Sequence, residues 1–385
     1  MLAKGKAIDY PATVATTWEM SFQAVAKASP AAAQLLTLCA FLAADDIPLD
    51  LLRPGAEHLP PALAAALADE LATADMIAEL LRYSLVKARD ESLSLHRLVQ
   101  TVVRGRLDED EGKDWAGQTV RLVRAVYRFG DTDLTTWGPA ERLLSHAEAA
   151  AGWAEKAGVK AEATASLLDV AGSCLNNLGL YLRALDLEQR AVALAERAWP
   201  PDSSELATYL SNLGHTFWRL DRFAEALPLQ PRALGIDQAA YGTKHPVIAN
   251  LSSNLGITLM LLGRFDEAQP LLEQAVAIAE ATLPPDAPEI ARYASNLGSL
   301  HHELGRYDTD RRLGERALAI SETALGPGHP EVAHRAVNLG VTLAAMGDLA
   351  AARSLMERGL AIYRRHYGDD HPQTRWALMN LDALG

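Results

Sequence analysis

The segment Asn254-Leu255-Gly256, followed by Gly263-Arg264-Phe265-Asp266-Glu267-Ala268, decides the fold because it does not occur once. Asn-Leu-Gly returns at Asn212, Asn254, Asn296 and Asn338, always 42 residues apart, and a fifth step reaches Asn380-Leu381, where Asp382 replaces the glycine. Other registers keep the same phase: Pro246, Pro288, Pro330 and Pro372; Ile236, Ile278, Ile320 and Ile362; Phe223, Phe265, Tyr307 and Leu349. A fixed period of this length signals a solenoid of stacked units. Such arrays bind other molecules more often than they transform them.

Within one period, Ile290, Ala294, Leu297 and Leu300 fall at helical spacing, and Gly305 then ends a first helix, A. A second helix, B, begins at Tyr307 with Leu313, Ala317, Leu318 and Ile320 on one face, until Pro327 and Pro330 break the chain. Gly214, Gly256, Gly298 and Gly340 sit inside helix A, where glycine costs about 1 kcal/mol against alanine. Recurrence implies that close helix packing offsets this. Asp310 stands where other repeats have alanine, so looser packing is expected there. Pro231 lies within a helix B and predicts a bend.

The order Leu-x-Asn-Leu-Gly, Gly-Arg-Phe-x-Glu-Ala, Arg-Ala-Leu-x-Ile and Gly-x-x-His-Pro resembles the 42-residue tetratricopeptide repeat of the kinesin light chain type. The resemblance covers roughly residues 163–385. It implies an all-α, right-handed α-solenoid whose helices A line a concave groove for a protein or extended peptide. It places Asn212, Asn254, Asn296 and Asn338 on that groove; the alternative is that each asparagine bonds a neighbouring helix and holds the stack. Positions four before, one before and three after each asparagine share its face. These are Thr208, Ser211 and His215; Asn250, Ser253 and Ile257; Arg292, Ser295 and Ser299; His334, Val337 and Val341. The set is small and polar with one fixed cation, which suits main-chain bonding to a peptide rather than a carboxylate clamp.

Counting back 42 from helix B of the next repeat aligns Ala184, Ala191, Leu194 and Trp199 with Ala226, Ala233, Ile236 and Tyr241. Asn177-Leu178-Gly179, however, lies only 35 residues before Asn212. On that alignment the first repeat is shortened by seven residues. The expectation is one continuous helix through Gly179–Ala184, with an unpartnered face that a second copy of the chain would cover as a homodimer.

Residues 1–110 lack the period. Helices at Pro30–Leu42, Leu49–Leu52, Leu63–Leu71, Met76–Arg82 and Arg97–Leu107 surround alternating segments at Ser84–Ala88 and Leu93–Leu95, a β-hairpin. Helices followed by a hairpin suggest a small winged-helix domain. Residues 111–162 form a helical bridge containing Trp115, Leu122, Val126 and Tyr127, then Trp137-Gly138-Pro139 and Leu143–Ala147. Tyr10–Phe22 resembles the segment after the nucleotide-binding module of bacterial STAND regulators of NB-ARC type, and Leu95-His96-Arg97-Leu98-Val99-Gln100 resembles their winged-helix signature. In that class a histidine at the position of His96 touches the β-phosphate of ADP, which makes His96 a latent nucleotide contact; the alternative is that it caps the helix or packs on the hairpin. No Gly-x4-Gly-Lys-Ser/Thr occurs in the 385 residues, so ADP or ATP is expected only with a nucleotide-binding domain, an upstream NTPase, outside them.

The formal net charge of −13 argues against duplex DNA and anionic membranes as partners. The candidate recognition stretch Asp69–Leu80 is acidic, whereas base reading needs Arg, Lys, Asn or Gln. Cys39 and Cys174 are the only cysteines, and no apolar run reaches transmembrane length, so a cytoplasmic protein is expected. No nucleophile elbow, zinc helix or Cys-x-x-Cys occurs, so neither an enzyme nor a metal site is expected. His245, His329 and His371 recur with the loop period and are expected to structure the loops rather than to bind a metal. The preferred reading is the sensor half of a STAND-type regulator. A free-standing adaptor and a winged-helix transcription regulator are the alternatives.

Overall fold

The computed structural model describes residues 10–130 and 133–385, with side chains from Trp18 onward. Two compact units divide at Ala171 and Gly172. The side chains of Tyr10–Thr17, part of the segment that resembles STAND regulators, lie outside the described residues.

Unit 1 begins with α1 (Tyr10–Ala28) and α2 (Pro30–Ala40). Ser29 accepts from the Ala32 N–H and Pro30 occupies the first turn, so α2 starts where its orphan donors are best met. There follow β1 (Ile47–Pro48), α3 (Leu49–Leu52), a 3-10 turn (Ala56–His58), α4 (Pro61–Leu67), α5 (Glu70–Arg82), β2 (Lys87–Arg89), β3 (Ser92–Ser94) and α6 (Arg97–Gly105). The expected hairpin is present, turning at Asp90 with φ 51°. A third strand joins it: β1 pairs antiparallel with β3, Ile47 opposite Leu93, in the order β1-β3-β2. Two residues, one of them proline, are too few to show a period of two. Gln100 locks α6 to the end of α2 by donating to the carbonyls of Cys39 and Leu42, both at 3.0 Å. A capping box between Asp108 and Glu111 starts α7 (Glu109–Val126), and α8 (Trp137–Ala157) and α9 (Ala161–Asn177) follow.

Unit 2 stacks helix pairs. Helices A are the end of α9, α11 (Ser204–Arg219), α14 (Pro246–Leu261), α16 (Pro288–Glu303) and α18 (Pro330–Ala345); α20 (Pro372–Asp382) closes the series. Helices B are α10 (Tyr181–Ala198), α12 with α13 (Phe223–Ala226, Leu229–Tyr241), α15 (Phe265–Thr282), α17 (Tyr307–Leu325) and α19 (Leu349–Tyr367). Helix B of the second repeat breaks between Ala226 and Leu229, and Pro231 falls in the first turn of the new helix, where a missing N–H costs least. His245, His329 and His371 each accept the N–H two residues on through Nδ1, at 3.3, 3.1 and 3.2 Å, and each precedes a proline that opens helix A.

The first repeat corrects the sequence reading. No continuous helix crosses Gly179–Ala184: α9 ends at Asn177 and α10 begins at Tyr181. Gly179 (φ 74°) and Leu180 (φ −91°, ψ 52°) make the same turn as Gly263 (φ 73°) and Arg264 (φ −89°, ψ 60°), two periods later. Tyr181 therefore takes the place of Phe223, and Gly172 that of Gly214. Asn177-Leu178-Gly179 merely repeats the letters of the motif out of phase; nothing is missing, and the repeat is full length. The premise for a homodimer through a shortened repeat goes with it.

The helix-A glycines admit helix B. A Cβ on Gly172, Gly214, Gly256 or Gly340 would fall 2.7–3.0 Å from Glu188, Gln230, Leu272 or Met356, residues that are themselves 42 apart where consecutive. In the fourth repeat that partner is Gly314, and Asp310 comes under Gly298 instead, its Oδ1 2.8 Å from where a Cβ would stand. The space where looser packing was expected holds a buried carboxylate. Asp310 accepts from Thr342 at 2.6 Å and meets His302 at 3.1 Å, which holds the imidazole above its ordinary pKa.

Candidate functional site: the helix-A face of the array

Helices α11, α14, α16, α18 and α20 touch in succession, so one face of unit 2 is made of helices A. Asn212, Asn254, Asn296 and Asn338 are half-buried on it. Asn296 donates to Ser253 at 2.9 Å and Asn338 to Ser295 at 3.4 Å, each reaching one repeat back. At Asn296 and Asn338 the amide therefore ties neighbouring repeats, whereas Asn254 donates to Asn250 within its own helix at 3.1 Å. Asn338 also meets His334 Nε2 at 3.3 Å, and Ser299 bonds the Ser295 carbonyl within its own helix.

The column four residues before each asparagine runs Thr208, Asn250, Arg292, His334 and Trp376. Arg292 lies over the Tyr293 ring at 4.7 Å and donates to its hydroxyl at 3.1 Å. With the Asn250 amide oxygen turned towards the guanidinium, as donors and acceptors require, two more bonds form at 2.9 and 3.2 Å. His334 packs on Trp376, ring centres 5.1 Å apart. Arg335 is buried and paired with Glu331 at 2.7 Å.

Arg219, Tyr181 and Trp376 escaped the sequence reading. Arg219 stands seven residues after Asn212, two helical turns along the same face, and extending the spacing rule by one step finds it. It lies over the Tyr181 ring at 4.7 Å and donates to its hydroxyl. With the Gln373 amide oriented to accept, it also bonds α20 at 2.9 and 3.1 Å. Neither Arg219 nor Arg292 has a carboxylate within ion-pair distance among the described residues.

His215 is exposed to solvent, yet the packed groups beside it desolvate the ring and, with Arg219 and Arg292 adding repulsion, lower its pKa to about 3. Desolvation and Arg335 bring His334 to about 4. Both are neutral hydrogen-bonding groups at neutral pH. The face is bounded where the last helix meets the first turn: His371 Nε2 lies 3.1 Å from the Asn177 carbonyl, and Pro372 packs against Gly179, leaving no room for a Cβ there. Burial lowers the His371 pKa, so its neutral Nε2–H donates to Asn177 while Nδ1 caps α20.

His96 in unit 1 is exposed and caps α6, its Nδ1 accepting the Leu98 N–H at 3.2 Å, with the Trp18 ring 5.8 Å away. Among the described residues no three His, Cys, Asp or Glu side chains are grouped to hold a metal, and no helix is long and apolar enough to cross a membrane.

Residues 205–281, 248–322, 289–365 and 336–381 match the tetratricopeptide repeat family, and residues 23–112 match a domain family of unknown function (DUF7779). No curated protein matches the chain. Among solved structures, a Rap protein complexed with Competence and Sporulation Factor is 13% identical, covers 87% of this chain and 85% of its own, and superposes with a TM-score of 0.52. NprR in complex with its cognate peptide NprX is 14% identical over 82% and 81%, with a TM-score of 0.53. The TPR-like repeats of a Podosopora anserina protein described as a kinesin light chain are 22% identical over 51% and 94%, with a TM-score of 0.41. Overlapping matches to the tetratricopeptide repeat family thus cover residues 205–381 without a gap.

Proposed function

We propose that the helix-A face binds an extended peptide, with Asn212, His215, Asn250, Asn254, Arg292, Asn296, Ser299, His334 and Asn338 meeting its main chain and Arg219 with Arg292 receiving an acidic side chain or terminal carboxylate. The observation that carries this is the pair of groove guanidiniums whose recorded partners are all neutral. Tyrosine and amide contacts hold each fork in place without cancelling its charge. Of two proteins with the same fold, NprR was solved with its cognate peptide and a Rap protein with Competence and Sporulation Factor, which supports the ligand class. The test is selection of peptides from a random library on the full chain, then affinity measurement. Asn254→Ala with Asn296→Ala should weaken a selected peptide at least tenfold, about 1.4 kcal/mol, with little change in melting. Unchanged affinity assigns the asparagines to stacking alone and removes them from the groove.

In the larger reading this chain is the sensor part of a cytoplasmic, bacterial STAND-type regulator: a winged-helix-like domain over residues 1–110, a bridge over 111–162 and the array over 163–385. The order of helices and the three-stranded sheet in unit 1 support the winged helix. His96 remains a candidate nucleotide contact, because a ring that accepts at Nδ1 carries its proton on Nε2, where it can donate to a phosphate. That contact needs a nucleotide-binding domain these residues do not contain. A free-standing adaptor uses the same groove without a switch, and a reading frame joining a P-loop domain to this chain separates the two. The acidic opening of α5 speaks against DNA binding.

A further inference from the structure

Unit 1 holds a cleft of about 560 Å³ walled by the end of α7, the turn at Ala56–His58 and α9. Small-molecule sites span roughly 300–1,000 Å³. Arg121, Arg124 and Arg128 line it together with His58. Spacings of three and seven align the three arginines along one side of α7 and its continuation.

Local contacts aim these side chains. Arg121 Nε donates to the Gly117 carbonyl at 3.2 Å, and Arg124 Nε donates to Ser166 Oγ at 2.7 Å. Both bonds use Nε and leave the terminal nitrogens of each guanidinium to other acceptors. A Cβ on Gly55 would lie 2.8 Å from Leu122 Cδ1 and 3.2 Å from its carbonyl oxygen. Glycine at that position lets the turn carrying His58 dock directly on α7.

Among the described residues no carboxylate comes within ion-pair distance of the three guanidiniums; Glu57, largely exposed, faces His58 at 3.7 Å. In a chain of net charge −13, where many arginines are paired with an acid, such a cluster is against the prevailing field. Three arginines in one open cleft match at least two negative charges, and their forks fit phosphate oxygens bidentately. Phe129, half-buried, adds an aromatic wall; Tyr127, which also lines the cleft, is fully buried. The acidic molecular surface is unsuited to a long polyanion, which needs a continuous basic track.

We propose that this cleft is a second ligand site, independent of the peptide groove, for a small anion of the oligophosphate class. Inorganic tripolyphosphate and a nucleoside triphosphate share that chemistry. Titration calorimetry of the full chain with tripolyphosphate, ATP and citrate tests it. Tripolyphosphate should bind with micromolar affinity at low salt, and Arg121→Gln with Arg128→Gln should weaken it more than tenfold without lowering the melting temperature. Arg128→Gln alone, at an exposed side chain, should weaken it severalfold and guards against a folding defect in the double variant. ATP binding more tightly than tripolyphosphate supports the proposal and assigns the base to the aromatic wall; equal affinities support it and assign recognition to phosphate alone. No binding of either at millimolar concentration, affinity indifferent to both variants, or citrate binding as tightly as tripolyphosphate overturns it.

Discussion

Unit 2 and unit 1 hold their helices together by opposite means. In unit 2 the same contact is made again and again: a helix-A glycine receives a helix-B side chain, and an asparagine reaches one repeat back. In unit 1 each contact is made once and joins residues far apart in the chain. Gln100 satisfies two carbonyls about sixty residues away, and Asp46 meets Arg142 at 3.1 Å while its carbonyl meets His146. Repetition distributes stability over equivalent interfaces, whereas a one-off contact concentrates it. The consequence is a difference in what each region tolerates.

The hardest strike at this contrast is on a repeated glycine. Gly340→Leu drives a side chain into Met356 and the Ala352 carbonyl, and overpacking of this kind should destabilise unit 2 by about 3 kcal/mol. Gly152→Ala in α8 of unit 1 meets nothing within contact distance and should stabilise by about 1 kcal/mol through helix propensity. Denaturant melts of both variants, followed by circular dichroism, check the opposite signs. If both behave alike, the close approach at the array glycines does not carry the packing.

A smaller effect sharpens the comparison from the other side. Gln100→Leu leaves the carbonyls of Cys39 and Leu42 buried without their donor and should cost about 2 kcal/mol. The loss should appear as weakened hydrogen-exchange protection confined to α2 and α6, with the array unaffected. Loss of protection throughout unit 2 would mean that the two regions do not respond separately.

The smallest effect tests the regularity of the turns. Gly179, Gly263, Gly305 and Gly347 all adopt positive φ at the A–B turn, and Asp221 alone does so with a side chain, at φ 58°. Asp221→Gly relieves that strain but frees the unfolded chain, so a net gain of about 0.5 kcal/mol is expected. A thermal melt resolves it, and a loss would show that the aspartate is stabilised by contacts of its own.

Much of this molecule was legible because a period is visible without neighbours. The helix pairs, the proline-marked loops, the loop histidines and the half-buried asparagines all follow from steps of 42. The same reliance on lettering produced the error in the first repeat. Asn177-Leu178-Gly179 reads as the motif, but Gly179 belongs to the A–B turn and Gly172 to the helix interior. Backbone conformation, not residue identity, sets the register, since a glycine serves equally well at a positive-φ turn and at a close helix approach. Arg219 was missed because it sits one turn beyond the window taken around each asparagine. The strand Ile47–Pro48 was missed because two residues carry no periodicity.

The amino-acid order by itself determined that residues from about 163 onward are stacked helix pairs, which faces are apolar, and that no P-loop lies in these 385 residues. These are properties of spacing, and helical spacing is a local consequence of 3.6 residues per turn. Only the tertiary structure decided which cations stand without acids, that Asp310 is received by Thr342 and His302 under a glycine, and that α20 returns to the turn at Gly179. Those outcomes depend on distances between residues as many as 194 positions apart, set by how successive pairs rotate on one another, and no local pattern in the chain encodes that rotation.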